Sequence, residues 1–302
     1  MKKSLLFAAA LFASVAVNAQ TVVWSCETAS DDGKNITADQ YAAAIHGTVS
    51  GSTTITASDV TPGAGIIAPS TGCQKSWKDA SGTSIVYGSD ETPAIVKWAP
   101  TATSDATPKT IEDGAAAGQY VDFTIEEGDI NKVLSLKNVT FDAVRLGTDA
   151  VRINVKLLAE GDSEYESDYL INADNWATVS DGVGSWVEST GAEGEILGCQ
   201  PSREDASKPN SANGKTSYTI AAPADFPASA YSATLRIFVY GIASNKALGL
   251  HNVTFNLGDG AGINSVTVNN SNANAPIYNL AGQRVNNSFK GIAIQSGKKY
   301  VK

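Results

Sequence analysis

Apolar and polar residues alternate along much of the chain, and this alternation predicts β-strands. The three longest segments that show it are 119–125, 151–158 and 233–240. A period of two places one set of side chains on one face of a strand, so each segment is predicted to bury one face. In the second segment we expect Ile153 and Val155 to face the core, and Asn154 and Lys156 to face water.

Shorter strand candidates lie between clusters of Gly, Pro, Asn and Asp, which favour turns. They are 53–57, 84–87, 94–98 and 217–220. Many short strands at this spacing are typical of a β-sandwich and not of a fold in which strands alternate with helices. We therefore predict an all-β protein built on a jelly-roll-like β-sandwich, with one short helix and a small C-terminal β module.

One segment carries the start and stop signals of a helix. Thr37 and Gln40 have the spacing of a capping box, and Tyr41 and Ile45 are four residues apart on one helical face. Gly47 stands where a glycine commonly follows the last turn. These features predict a helix over residues 38–46.

An eight-residue pattern, L-x-L-x-N-V-T-F, occurs at 134–141 and again at 248–255. In both copies the leucines alternate in one phase and the Val-Phe pair alternates in the other, so the apolar face switches near the Asn. A β-bulge or sharp bend at Asn138 and Asn252 would produce this switch.

The N-terminus has the pattern of a secretory signal peptide. Lys2 and Lys3 precede an apolar stretch at 5–17, and Val-Asn-Ala at 17–19 provides a cleavage site before Gln20. No other segment approaches the roughly 20 apolar residues of a membrane helix. We expect a protein without a transmembrane segment, secreted by a Gram-negative bacterium to the periplasm, the outer-membrane surface or the extracellular space.

Charge and composition divide the mature chain. The whole chain has a net charge of −9, yet no Asp or Glu follows Asp259, and a Gly- and Asn-rich stretch separates the basic tail from the acidic body. The predicted organisation is a signal peptide at 1–19, a β-sandwich at 20–257, a linker at 258–275 and a β tail at 276–302. An acidic body excludes nucleic acid as a partner, and it should repel polyanionic glycans unless Ca²⁺ bridges the two.

The chain has three cysteines, Cys26, Cys73 and Cys199. An odd number leaves at least one thiol unpaired, and the spacing matches no zinc motif. We expect one optional disulfide and a buried free thiol.

Several segments resemble known bacterial modules. The runs 120–125, 139–149, 201–203, 217–220 and 235–241 resemble the β-sandwich modules appended to secreted pectate lyases and related glycan-active proteins of gut-type anaerobes. The tail, with Ile-Tyr-Asn-Leu-Ala-Gly-Gln-Arg-Val at 277–285, resembles a shortened type IX secretion sorting domain. The resemblance implies a glycan context and contact of the tail with secretion or surface machinery. The catalytic β-helix that usually accompanies such modules is absent, which argues against a lyase activity, and the resemblance supplies no catalytic residue.

Exposed aromatic rings are the first candidates for sugar binding, because the apolar face of a sugar stacks on them. Trp77, Trp176 and Trp186 follow polar or Gly-rich stretches and are the glycan-binding candidates, whereas the strand phase of Trp98 predicts a core position. For each candidate the alternative is a core tryptophan.

Arg145 and Arg203 are candidates for a polar contribution to a ligand site at one end of the sandwich, and Arg236, on the outward phase of its strand, is treated in the same way. For Arg145 the alternative is a structural role, either in an ion pair with Asp149 or in a turn that Asp149 caps.

No motif indicates catalysis. His46 and His251 stand outside any recognisable constellation, and Glu164 and Glu166 lie in a polar stretch typical of solvated charge. No metal site or cofactor is predicted; structural Ca²⁺ at acidic loops such as the one containing Asp162 would lack a spaced ligand motif. The favoured function is a secreted or surface-held non-catalytic module that binds polysaccharide or oligosaccharide. The alternatives are a structural or adhesive surface protein without a sugar ligand and, third, a small polysaccharide lyase or hydrolase.

Overall fold

The computed structural model divides the chain into two compact units, Met1–Ala261 and Gly262–Lys302. The boundary between the units falls within the predicted linker. The described residues are 20–30, 36–67, 73–75, 92–101, 108–146, 151–180, 184–187, 198–203, 215–241, 247–258, 277–279, 283–285, 292–295 and 298–301.

Strands dominate the first unit. The helices are α1 (Ala38–Ile45), α2 (Ile111–Ala116) and α3 (Trp176–Ser180). The strands are β1 (Thr21–Trp24), β2 (Glu27–Ser30), β3 (Thr48–Ser50), β4 (Ile55–Ala57), β5 (Thr61–Pro62), β6 (Ile66–Ile67), β7 (Cys73–Lys75), β8 (Thr92–Pro100), β9 (Tyr120–Glu127), β10 (Leu136–Leu146), β11 (Arg152–Glu160), β12 (Tyr165–Glu166), β13 (Ser185–Val187), β14 (Gly198–Gln200), β15 (Thr216–Ala221), β16 (Ser232–Tyr240) and β17 (Ala247–Leu257).

These strands form two antiparallel sheets. The first sheet has the order β15-β10-β17-β1-β3, and β8 joins it through β17 and also pairs with β2, β6 and β7. The second has the order β13-β14-β11-β16-β9-β4, with β12 beside β11 and β5 beside β9. The predicted all-β fold class is confirmed.

The core lies between the two sheets and joins side chains of both into one apolar cluster. The ring of Trp24 in the first sheet lies 5.5 Å from that of Phe123 in the second sheet and 5.6 Å from that of Phe255 in its own. All three side chains are fully buried. Edge-to-face contacts of this kind add to the stabilisation that apolar burial provides.

The repeated pattern lies on two neighbouring strands, because β10 pairs with β17 along nearly their whole length. The register shifts twice, once between Leu136 and Asn138 and once between Thr140 and Asp142. Opposite the second shift Asn252 has φ of +46°, a left-handed conformation that Asn tolerates better than most residues. The predicted switch of face is therefore made by bulges at or beside both Asn residues.

The three longest predicted strands are confirmed as β9, β11 and β16, with their apolar sets buried. Asn154 differs from the expectation, since it is fully buried on the face predicted to meet water. Residues that follow β12 cover the Asn154 side chain. The Asn154 Nδ2 donates to the Ile171 carbonyl at 2.8 Å, and the Asn154 Oδ1 accepts from the Ile171 N–H at 3.1 Å. Alternation correctly gave the face, but it could not show that a distant segment covers that face.

Helix α1 has both hydrogen bonds of the predicted capping box between Thr37 and Gln40. His46 and Gly47 follow the helix, but His46 is extended and Gly47 is required for a different reason. A Cβ at Gly47 would lie 2.5 Å from the Ala57 Cβ and 2.7 Å from the Trp24 ring, so the glycine permits close packing. Helices α2 and α3 are additions to the single predicted helix; both are too short to give a helical period.

Cys26 and Cys199 are buried free thiols, so neither forms the optional disulfide. Burial raises the pKa of Cys26, and the negative charge of the neighbouring Glu27 raises it further. Burial raises the pKa of Cys199 to about 12. These thiols are therefore protonated and unreactive at neutral pH.

The second unit contains a small antiparallel sheet of four strands. They are β18 (Ile277–Asn279), β19 (Arg284–Val285), β20 (Ile292–Gln295) and β21 (Lys298–Val301), in the order β19-β18-β20-β21. Of the helices in the described residues, none has the length and apolar character needed to cross a membrane.

Candidate functional site

The outer face of the second sheet carries a cleft of about 410 Å³. Outward-facing residues of β9, β11 and β16 form its floor, and Glu160 at the end of β11 forms a wall together with the segment around β12. The lining residues are Asp122, Leu158, Ala159, Glu160, Glu164, Tyr165, Glu166, Ser232, Thr234 and Arg236.

An ion pair between neighbouring strands organises the floor of the cleft. Arg236 and Asp122 are register partners on β16 and β9, so their side chains share one face. Arg236 Nε lies 2.8 Å from Asp122 Oδ1 and its Nη2 lies 2.7 Å from Oδ2, while the guanidinium stacks 3.9 Å from the centre of the Tyr120 ring. The hydrogen bond with Asp122 raises the pKa of Arg236 against the opposing effect of burial. The pair is held rigidly in a bidentate, stacked geometry.

Two hydroxyl groups precede the arginine on the same face of β16. The Thr234 hydroxyl pairs with that of Thr124 at 2.8 Å. Ser232 is only 5% exposed and lines the cleft, and within the described residues its hydroxyl has no hydrogen-bond partner. The hydroxyl oxygen itself keeps some solvent-accessible surface in the cleft, so it is available to a ligand.

The wall of the cleft carries carboxylates. Glu166 pairs with Lys156, whose ammonium lies 4.6 Å from the centre of the Tyr169 ring. Glu160 Oε2 accepts a 3.0 Å hydrogen bond from the Tyr231 hydroxyl, and Glu164 is exposed. The side chains that line the cleft therefore include four carboxylates and one guanidinium, so negative groups outnumber positive ones.

Tyr165 contributes a half-exposed ring to the wall. Its hydroxyl donates to Asp225 Oδ1 at 2.9 Å, and its ring meets that of Phe226 edge to face. Burial, together with the Asp225 hydrogen bond, raises the pKa of Tyr165 to about 12. The tyrosine is therefore a fixed neutral ring and not a source of protons at neutral pH.

Trp176 and Trp186 lie away from this cleft, and the third tryptophan candidate, Trp77, falls outside the described residues. Trp176 and Trp186 are half-buried against the core. The ring of Trp176 lies 6.2 Å from that of Tyr218. Trp186 is the register partner of Cys199 on the inner face of the second sheet. Neither ring is the exposed platform that the flanking polar residues indicated, because each packs on the edge of the sandwich core.

The structure brings Arg145 and Arg203 together through an isolated parallel bridge. Arg145 is 95% buried, and its Nε donates to the Pro201 carbonyl at 3.0 Å. Arg203 is partly exposed, and its buried Nε lacks a hydrogen-bond partner in the part of the chain described. The predicted partner of Arg145, Asp149, lies outside the described residues.

A second polar cluster surrounds His251 on the outer face of the first sheet. The imidazole is 2% exposed, with Nε2 2.9 Å from Glu27 Oε1 and Nδ1 3.4 Å from Asp142 Oδ2. Asp142 also receives Lys215 Nζ at 2.6 Å and the Ser217 hydroxyl at 2.5 Å. The cluster links four strands and is nearly closed to solvent.

The two central members of this cluster have shifted pKa values. Burial lowers the pKa of His251, but hydrogen bonds with Asp142 and Glu27 outweigh it, so the net shift is upward. Burial raises the pKa of Asp142, but bonds from His251, Lys215 and Ser217 outweigh it and the net shift is downward. Both shifts favour an imidazolium between carboxylates, which is a structural ion network. His46, by contrast, is exposed and pairs with Asp59 at 2.8 Å.

No protein-family model matches the chain, and no curated protein or solved structure is detectably similar to it. Within the described residues, no group of three or more His, Cys, Asp or Glu side chains could hold a metal ion.

Sequence reasoning placed Arg236 correctly on an outward face but did not give it a partner. Asp122 shows the same outward phase, yet its pairing with Arg236 depends on a register that joins residues 114 positions apart. Ser232 carried no signal, since a lone serine at a strand start is common.

Proposed function

We propose that the protein is a secreted or surface-held, non-catalytic carbohydrate-binding module whose ligand occupies the cleft on the second sheet. The observation that carries the proposal is the unpartnered Ser232 hydroxyl beside a preorganised Asp122–Arg236 pair. Ligand sites are concave and contain a few fixed polar groups that set orientation. A sugar, which presents adjacent hydroxyls, suits such a set of donors and acceptors.

The size and form of the cleft agree with an oligosaccharide ligand. A volume of about 410 Å³ lies in the range of small-ligand sites. Leu158 and the half-exposed ring of Tyr165 supply apolar surface for the C–H face of a sugar, while the carboxylates supply acceptors.

The proposal that the protein is secreted or surface-held rests on its two terminal segments. The N-terminal pattern at 1–19 supports export, and the basic C-terminal unit, which resembles a sorting domain, supports contact with secretion or surface machinery. The acidic body supports a ligand without negative charge, or one bridged by Ca²⁺.

A glycan array with the mature protein, in the presence and absence of EDTA, tests the proposal. We expect binding to at least one glycan, followed by calorimetric titration of the best ligand against the Ser232→Ala variant. Loss of one neutral hydrogen bond should weaken binding about three- to tenfold without changing the thermal transition. Ser50→Ala, on an exposed position of β3 in the other sheet, is the matched control and should bind as the wild type does.

The outcomes separate the alternatives. Failure to bind any glycan would favour the structural or adhesive interpretation. Release of new reducing or unsaturated ends from a polysaccharide would favour the enzyme. Sugar binding that is unaffected by Ser232→Ala would move the site away from the cleft, and loss of binding in EDTA would indicate a Ca²⁺ bridge.

A further inference from the structure

The carboxylates around the cleft differ in how far their charge is neutralised. Asp122 is held by Arg236, and Glu166 is paired with Lys156. Glu160 accepts only from the neutral Tyr231 hydroxyl among its described contacts. Glu164, in the same wall, has no hydrogen bond or ion pair with any described residue. Glu160 and Glu164 thus have no cationic partner in the part of the chain that the structure describes.

The uncompensated charge stands beside the available hydroxyl. Glu160, Glu164 and Ser232 line the same cleft, and Ser232, a residue 95% buried, makes no hydrogen bond through its hydroxyl to any described residue. A ligand that fits all three needs a hydroxyl or other polar group for Ser232 and a positive charge for the wall. A neutral sugar provides the polar group but not the positive charge, and the carboxylates of the wall repel a uronic acid.

We infer that the cleft selects an oligosaccharide that carries a protonated amine, that is, an amino sugar without its N-acetyl group. This inference rests on the proposed function and narrows it to one ligand class. The ammonium lies against Glu160 and Glu164 while ring hydroxyls meet Ser232 and the exposed edge of the Asp122–Arg236 pair. N-acetylation removes the charge and with it the preference.

The preference is electrostatic and therefore depends on salt and pH. The wall carboxylates are exposed, so each contact contributes as a solvent-screened ion pair and weakens at high ionic strength. The amine loses its charge as the pH rises through its pKa, which we expect near that of an α-amino group, about 8.

Calorimetric titration with a glucosamine tetramer and with its N-acetylated counterpart tests the inference. We expect the free-amine ligand to bind about three- to tenfold more tightly at low salt and about pH 6, and the difference to shrink at about 300 mM NaCl and at about pH 9.5. Glu164→Gln should reduce the affinity for the free-amine ligand about threefold or more and that for the N-acetylated ligand by a clearly smaller factor. Asp174→Asn, which removes the same charge from an exposed turn outside the cleft, should change neither.

The result can separate the two proposals. Equal or tighter binding of the N-acetylated tetramer, or of a galacturonate oligomer, overturns the inference and leaves carbohydrate binding intact. Free-amine binding that ignores Glu164→Gln but responds to Asp174→Asn shows a general surface charge effect and also overturns it. Failure of every sugar to bind overturns both the inference and the proposed function.

Discussion

Replacing His251 by Ala should destabilise the body strongly, because the imidazole separates two buried carboxylates. Glu27 and Asp142 side chains are 13% and 15% exposed, and in the variant they would face one another without the imidazole, with Lys215 still paired to Asp142. Removing one partner of a buried ion pair costs about 3–5 kcal/mol. The partial exposure of both carboxylates and the presence of Lys215 place this case near the lower end, at about 3 kcal/mol.

The pH dependence of wild-type stability has a defined sign. The pKa of His251 is raised on folding, so its contribution is full below its unfolded value of about 6.5 and is lost as the pH rises through the higher folded value. The pKa of Asp142 is lowered, so its contribution is present above about 3.9 and is lost as the pH falls. The two shifts together favour maximal stability between about pH 4 and pH 6.5.

Urea denaturation of the wild type and of His251→Ala across this range measures both effects. The alkaline decline of the wild type should be smaller in the variant, which has no imidazole to titrate. His46→Ala is the control, because His46 is 65% exposed and its loss should change stability by less than about 0.5 kcal/mol. Equal stability of the two variants, or a wild type that becomes more stable from pH 6.5 upward, would refute this account of the network.

Two further expectations concern packing and organisation. Gly47→Ala should lower the free energy of unfolding, measured by urea denaturation, by about 1–3 kcal/mol, because the added methyl group would overlap Ala57 and the Trp24 ring. An unchanged midpoint would mean that β4 can move to make room for the methyl group. Truncation after Asp259 should leave the thermal transition of the body nearly unchanged and alter where the protein is found in the cell, since the boundary between the compact units lies at Ala261; a large drop in that transition would make the tail part of the sandwich.

Local patterns predicted much of the fold. The period of two in 151–158 and 233–240 gave the buried faces of β11 and β16, and the phase switch in the repeated pattern indicated the bulge at Asn252. These features depend on neighbouring residues, so the sequence carries them directly.

Long-range features were not predictable in this way. The burial of Asn154 depends on a segment 17 residues away, and the Asp122–Arg236 pair depends on strand register over 114 residues. His251 looked isolated because its carboxylate partners come from β2 and β10, far apart in the chain. Each requires knowledge of which strands are neighbours, which alternation alone does not provide.

Mapping the bound ligand is the most direct test of the central claim that the cleft binds carbohydrate. Amide chemical-shift changes on titration with the best ligand of the array should be concentrated on β16, β9 and the residues around β12, with Ser232, Arg236 and Glu164 among the largest. Residues of the first sheet, such as those around His251, should be unaffected. Changes concentrated instead near Arg203 or Trp186, or no changes with any glycan, would contradict the account.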